Sequence, residues 1–446
     1  MSYNSLNGKR PIEYASKINH SAIIKSPEIQ NFLNSCQEPV LDLGNLVLPK
    51  ANDIKYGVPK NIKRIFAIDG SYNETFLKEK FPSVSLTYFN IGVLTFDMLD
   101  YENIKSDQLV DPETIKKLKE VSKNCFAIPT NNLLRKGVDN FLDSVRLTIN
   151  DIFSNKANSC LKQDSLNNIL QWILFEEWDK NSTNHINIKC PNSSCEKDVE
   201  FEKGEHIKTC PYCNKDIFLS DYLMLYSLVN EVSGASGIVS FFCNVIEQLY
   251  IAEITRYFYI QDIKVLSEIV FIKDGPLAFF SRTFKLCEHF RHLFTYLDSI
   301  KAKIYLVGLE KSGTFCEHAN LIKDRLNKGQ YYIFNEDYIR KYVEPQTTKT
   351  IYGSNTYYGK KVMFKTESGD ILIAVLPVKN YQAENNATDL IGAEVCLKTI
   401  SSLRCNMYDN SIVPISIINK LVSIAALPSA NILKSFSKRQ ILDENK

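Results

Sequence analysis

The stretch RIFAIDGSYNE, residues 64–74, sets Asp69 at the close of an apolar, β-branched run and follows it with a glycine. The same arrangement returns in EIVFIKDGPLAFF, where Asp274 is followed by Gly275. One Asp-Gly pair is an ordinary turn dipeptide. Two of them, each closing a run that reads as a buried strand, predict two carboxylates side by side at neighbouring strand ends. Carboxylate oxygens are the hard donors that Mg²⁺ and Mn²⁺ require, and two such ions about 4 Å apart activate a water and stabilise the leaving oxygen of a phosphodiester.

A second set of residues has a different chemistry. KCPNSSCEKDVEFEKGEHIKTCPYCNKDIF holds Cys190 and Cys195, then Cys210 and Cys213. Paired thiolates on two tight turns joined by a short hairpin, stiffened by Pro191 and Pro211, supply the tetrahedral sulfur set that zinc prefers; the pattern reads as a zinc ribbon. Four sulfurs close the coordination shell. That leaves His206 outside it and no position for a reacting water, so the expected Zn²⁺ is structural.

The chain of 446 residues is long enough for about two to three domains, and its 44% hydrophobic content supports well-packed cores. Lys and Arg number 53 against 51 acidic residues, a formal net charge of +2, which excludes a global basic field. A nucleic-acid partner must therefore be held by a local patch, and LPKANDIKYGVPKNIKRI is one candidate. The apolar stretch ASGIVSFFCNVIEQLYIAEI carries Asn and Glu and is expected to fall short of a membrane span. The start, MSYNSLNGKRPIEYASK, lacks a hydrophobic signal core. Cys36, Cys125, Cys160, Cys243, Cys287, Cys316, Cys396 and Cys405 stand singly and read as reduced, mostly buried thiols. Together these features predict a cytoplasmic protein.

Both sets of ligands need elements to position them. Residues 1–60 read as an irregular to helical N-terminal segment. Residues 61–100 open an α/β core with the strand KRIFAI and a longer strand or hairpin, SVSLTYFNIGVLTFD, in which Gly92 reads as a bend. Residues 101–185 read as a helical insertion built from DPETIKKLKEVSKN and NNLLRKGVDNFLDSVRLTINDIF, and 186–220 as the zinc ribbon. Residues 221–430 return to the core: a long helix with a Gly/Ser break near 233–237, the strand EIVFIKDG, the helix AFFSRTFKLCEHFRHLFTYL and the strand KIYLVGLEKSG, expected parallel to its neighbour. KKVMFKTESGDILIAVLP is expected as a hairpin, VPISIINKLVSIAALP as a last helix and 431–446 as a polar tail.

In this order, AIDGSYN, a helix leading into VFIKDGPL, YLVGLEKSG and VPISIINKLVSIA resemble NurA-type nucleases. The resemblance implies a ribonuclease-H-like mixed sheet flanked by helices, a Mn²⁺- or Mg²⁺-dependent DNA nuclease, a homodimer, and a HerA-like hexameric ATPase as partner in DNA end processing or defence against foreign DNA. It makes Asp69 and Asp274 metal ligands and puts a third ligand on the helix before Asp274, where Glu253 in YIAEIT is the first choice and Glu247 its rival. Its lysine falls on Lys311, able to neutralise charge on the phosphate. Where the family has its fourth metal ligand, an acidic residue or histidine near the C-terminus, this chain has Asn419, which offers the metal a neutral oxygen. That departure keeps open a second reading, a catalytically inactive ribonuclease-H-like and zinc-ribbon protein that binds DNA or scaffolds an ATPase. A zinc-ribbon regulator without nuclease ancestry is the third, and the paired Asp-Gly runs disfavour it.

Overall fold

Apolar and β-branched runs supply β2 (Arg64–Lys78), β3 (Val84–Asp97) and β4 (Lys119–Asn131), preceded by the short polar β1 (Ala51–Asp53), which forms by pairing, and followed by the short strands β5 (His185–Lys189), β6 (Asp198–Glu202), β7 (Ile207–Thr209) and β8 (Asp216–Phe218). They continue with β9 (Ile269–Asp274), β10 (Tyr305–Glu310), β11 (Gln330–Ile333), β12 (Gly359–Lys365) and β13 (Ile371–Pro377). The computed structural model describes residues 17–37, 46–55, 57, 59–99, 101, 119–180, 182–345, 350–403, 412–424 and 429–443. Cys405 lies outside these residues. Residues 1–48 and 49–446 are separate compact units. In the first, α1 (Lys17–Lys25) is followed by α2 (Pro27–Ser35), which opens with Ser26 as its cap and proline at the first position, where an amide has no helical partner.

The second unit is built on a nine-stranded mixed sheet of order β1-β11-β12-β13-β10-β9-β2-β3-β4. Strands β2, β3 and β4 form an antiparallel meander, β9 runs parallel to β2, and β10 runs parallel to β9. One face is covered by α3 (Phe141–Ser154), α4 (Leu166–Leu174), α5 (Val239–Gln261) and α6 (Leu286–Ser299), which pack on Phe66, Ile68 and Phe271. Helix α7 (Thr314–Ile322) packs on β13. The other face is covered by α8 (Ala393–Ser402) and α9 (Val413–Val422), which pack on Ile65, Ala67, Val270 and Ile272. Apolar helices on both faces explain why β2 and β9 open as unbroken apolar runs. The pairs β5–β6 and β7–β8 form two small hairpins of their own. Arg146 of α3 rivets the second: its guanidinium, 4% exposed, makes bonds of 3.0 and 2.6 Å to Asp221, 2.7 Å to Asp143 and 2.7 Å to the Asp216 carbonyl. A buried charge so fully paired holds a small module in one orientation.

Several expectations are corrected. Asp69 does not close its strand: β2 runs on to Lys78, and Asp69 pairs with Gly92 of β3 in its middle, so pairing overrides the turn preference of Asp-Gly. Gly92 is no bend either. A Cβ there would lie 2.8 Å from Val422 Cγ1, so it is a point of close approach for α9. Within the expected helical insertion, residues 119–131 form β4, because β3 offers them a free edge; residues 102–118 lie outside the described set. Between 219 and 238 the chain makes short 3₁₀ turns, and the long helix starts only at Val239. With the preceding turn, that helix is long and apolar enough to cross a bilayer by length and composition alone, and it is mostly buried in the fold. The tail also differs, since α10 (Ser429–Asp443) is a helix.

Candidate functional site

Strand alternation decides where the aspartates face. Ile65 and Ala67 point to the α9 side, so Asp69 does as well, and its cross-strand partner Gly92 points at Ile418 and Val422 of that helix. On β9, Val270 and Ile272 share that face, which assigns Asp274 to it. The parallel register pairs Ile68 with Lys273. One residue further, Asp69 and Asp274 stand next to one another on strands about 4.8 Å apart. Here the second Asp-Gly pair behaves as expected: β9 ends at Asp274, and Gly275 turns away with φ +90° while its amide donates to the Leu309 carbonyl at 2.7 Å.

Glu247 comes in from the opposite side, on α5. Gly70 admits it, because a Cβ at that position would lie 2.7 Å from Cys243 Sγ and 2.9 Å from Glu247 Oε1. Its carboxylate is paired at 2.7 Å with Lys273, 2% exposed, whose ammonium also donates to the Asp274 carbonyl at 2.9 Å. On the aspartate side, Lys311 Nζ lies 2.6 Å from Asp274 Oδ2. Burial first, and then the charges of Asp274 and Glu247, push the Asp69 carboxyl up to about 8; Lys311 and the Gly70 amide pull the other way. Burial also raises Glu247, against the pull of Lys273. Three carboxylates and two ammonium groups thus share one electrostatic neighbourhood of hard oxygen donors, the type that binds Mg²⁺ or Mn²⁺.

Glu253 is not in it. Six residues along α5, about 9 Å on, both its oxygens are taken by backbone amides, Cys160 at 2.8 Å and Leu161 at 2.9 Å. The expectation of Glu253 beside the aspartates is corrected: it anchors the loop before α4, and the glutamate at the aspartates is Glu247. Asn419 sits exposed on α9, its carbonyl accepting from the Ser423 amide. Its side chain makes no hydrogen bond to either aspartate among the described residues. The sequence reading missed Lys273, although a lysine inside the apolar run EIVFIKDG was the available signal, since a buried ammonium demands a carboxylate.

The four cysteines do converge. Each pair sits at the tip of its own hairpin, β5–β6 or β7–β8, where Cys190 and Cys210 amides donate to the Lys197 and Lys215 carbonyls at 2.8 Å. Glu196 and Asn214 take left-handed φ of 49° and 58° to make the tips. The sulfurs of Cys190 and Cys213 are 3.6 Å apart, those of Cys195 and Cys210 3.8 Å, and all four lie within 4.8 Å of one another. A tetrahedron with metal–sulfur bonds of about 2.3 Å has edges of about 3.8 Å, so this donor set fits a thiolate-bound metal. Among the described residues it is the one His/Cys/Asp/Glu group gathered that tightly; the three carboxylates, with Glu247 reaching the aspartates past Gly70 from α5, are not.

No protein-family model and no curated protein matches the chain. Among solved structures it is similar to the NurA nuclease from Sulfolobus solfataricus, at 10% identity over 96% of this chain and 98% of that one, with a TM-score of 0.37. It is also similar to NurA bound to dAMP and manganese, at 10% identity over 93% and 91%, with a TM-score of 0.25. Likenesses this distant assign no residue, ligand or activity to this chain.

Proposed function

We propose that the chain is a metal-dependent DNA nuclease of the NurA type, with Asp69, Asp274 and Glu247 as ligands of Mn²⁺ or Mg²⁺. The observation that supports this most is the juxtaposition of Asp69 and Asp274 on adjacent parallel strands at the centre of the sheet, with Glu247 and Lys311 acting on the same charges. The strand order β4-β3-β2-β9-β10, three antiparallel and then two parallel, supports a ribonuclease-H-like core. Bound divalent ions would supply an activated water and charge for the leaving oxygen. Lys311 would then turn from Asp274 to the phosphate, and Lys273 would hold Glu247 in place. The cysteine tetrad takes a structural Zn²⁺. On this reading the setting is cytoplasmic and the partners are DNA, a second copy of the chain and a HerA-like hexameric ATPase.

The ion pairs Lys273–Glu247 and Lys311–Asp274 also favour a second reading, a catalytically inactive DNA-binding or ATPase-scaffolding protein whose carboxylates are satisfied by lysines. An assay of purified protein with Mn²⁺ and linear DNA separates the two. Cleavage that chelation abolishes supports the nuclease; no cleavage of linear or single-stranded DNA, alone or with the ATPase, leaves the scaffold.

A further inference from the structure

The β2–β3 hairpin continues well past the carboxylates. From Asp69 to Lys78, β2 extends about 30 Å at 3.3 Å per residue. Its tip carries Glu79, Lys80 and Phe81. Helix α10 lies along this arm, with Ser437 bonded to the Tyr88 hydroxyl at 2.5 Å and Lys434 paired with Glu79. Lys438, one turn on, is close enough for its charge to act on the same carboxylate. Lys434 and Lys438 therefore stand against Glu79, and Lys78, Lys80 and Arg439 are their sequence neighbours on the same hairpin tip and helix, in a chain whose formal net charge is +2. Large apolar side chains stand among these cations: Phe81 is 95% exposed, Ile432 71% and Phe436 52%. Exposed rings interleaved with cations match a partner that offers phosphates and free flat bases together. A duplex hides its base faces, whereas a single strand presents them.

We infer that this arm is a holding surface for single-stranded DNA, with Phe81 as a stacking platform and Lys80, Lys438 and Arg439 on the phosphates. The arm and the carboxylates share β2, so a strand held here continues toward Asp69; that direction rests on the nuclease reading, while the binding itself does not. The test is fluorescence anisotropy of a labelled oligodeoxythymidylate in EDTA, so that no cleavage intervenes. Phe81→Ala is expected to weaken binding by about 5- to 100-fold. Lys438→Ala with Arg439→Ala is expected to lower the slope of log affinity against log salt by about 1.4, two phosphate contacts' worth on a single strand. All three side chains are exposed, so Tm stays at the wild-type value and a binding loss is not misfolding. Wild-type affinity and slope in both variants would overturn the inference, as would wild-type protein that binds anionic phosphatidylserine vesicles and not the oligonucleotide. The two readings fail separately: arm variants that bind and cleave normally remove the arm and leave the nuclease, whereas oligonucleotide binding lost in the variants with no cleavage by any form removes the nuclease and leaves the arm.

Discussion

Glu247 and Glu253 are two buried glutamates on one helix with different environments. One faces an ammonium and two carboxylates; the other faces two amides. Replacing Glu253 with Gln swaps one acceptor for an amine that confronts a backbone N–H, so Glu253→Gln is expected to cost about 1–3 kcal/mol in denaturant unfolding. Sequence spacing from Asp274 could not rank them, because the deciding feature is the missing side chain at Gly70, visible only once β2 and α5 are docked. A third buried charge gives a pH test. Lys360 is 2% exposed, and burial, with Glu336 opposing and Arg291 reinforcing, lowers its ammonium from 10.5 to about 8. With the folded value depressed, the stability it contributes is present above about 10.5 and lost as pH falls through about 8. Lys360→Met is therefore expected to stabilise the protein at pH 7, by at most about 3 kcal/mol, and to do nothing at pH 11, in thermal melts across that range.

At the scale of elements, the close approach of α5 to β2 is the feature on which the candidate site depends. Gly70→Ala would set a methyl against Cys243 and Glu247 and push the helix off the strand, at an expected cost of about 1–3 kcal/mol together with a loss of any metal-dependent activity. The cysteine hairpins make a separate prediction. Purified protein should contain one zinc ion per chain, and Cys195→Ser should lose it and lower Tm by several degrees without changing the far side of the sheet; elemental analysis and calorimetry check both. These hairpins were legible in the sequence because their ligands are local and spaced by rule. The strand β4 was not, since VSKNCFAIPT becomes a strand only through the edge that β3 offers, a pairing that its own residue pattern does not announce. Likewise Asp69 reads as a turn residue until its pairing with Gly92 of β3 is known.

Over the whole molecule, the sequence order of motifs carried the α/β class and the meeting of Asp69 with Asp274, because two apolar runs with the same ending imply neighbouring strands. What it lacked were long-range relations: the lysine partners of the carboxylates, the projection of β2 beyond them, and the helical tail that docks on that projection. The central claim is that Asp69, Glu247 and Asp274 act as one metal centre and Glu253 does not belong to it. Its most direct test is Mn²⁺-dependent cleavage of end-labelled linear and single-stranded DNA by the folded wild type and the variants Asp69→Asn, Asp274→Asn, Glu247→Gln and Glu253→Gln. The account predicts that the first three lose about three orders of magnitude or more in rate while Glu253→Gln cleaves like wild type per folded molecule; retained cleavage in Glu247→Gln with loss in Glu253→Gln would contradict it.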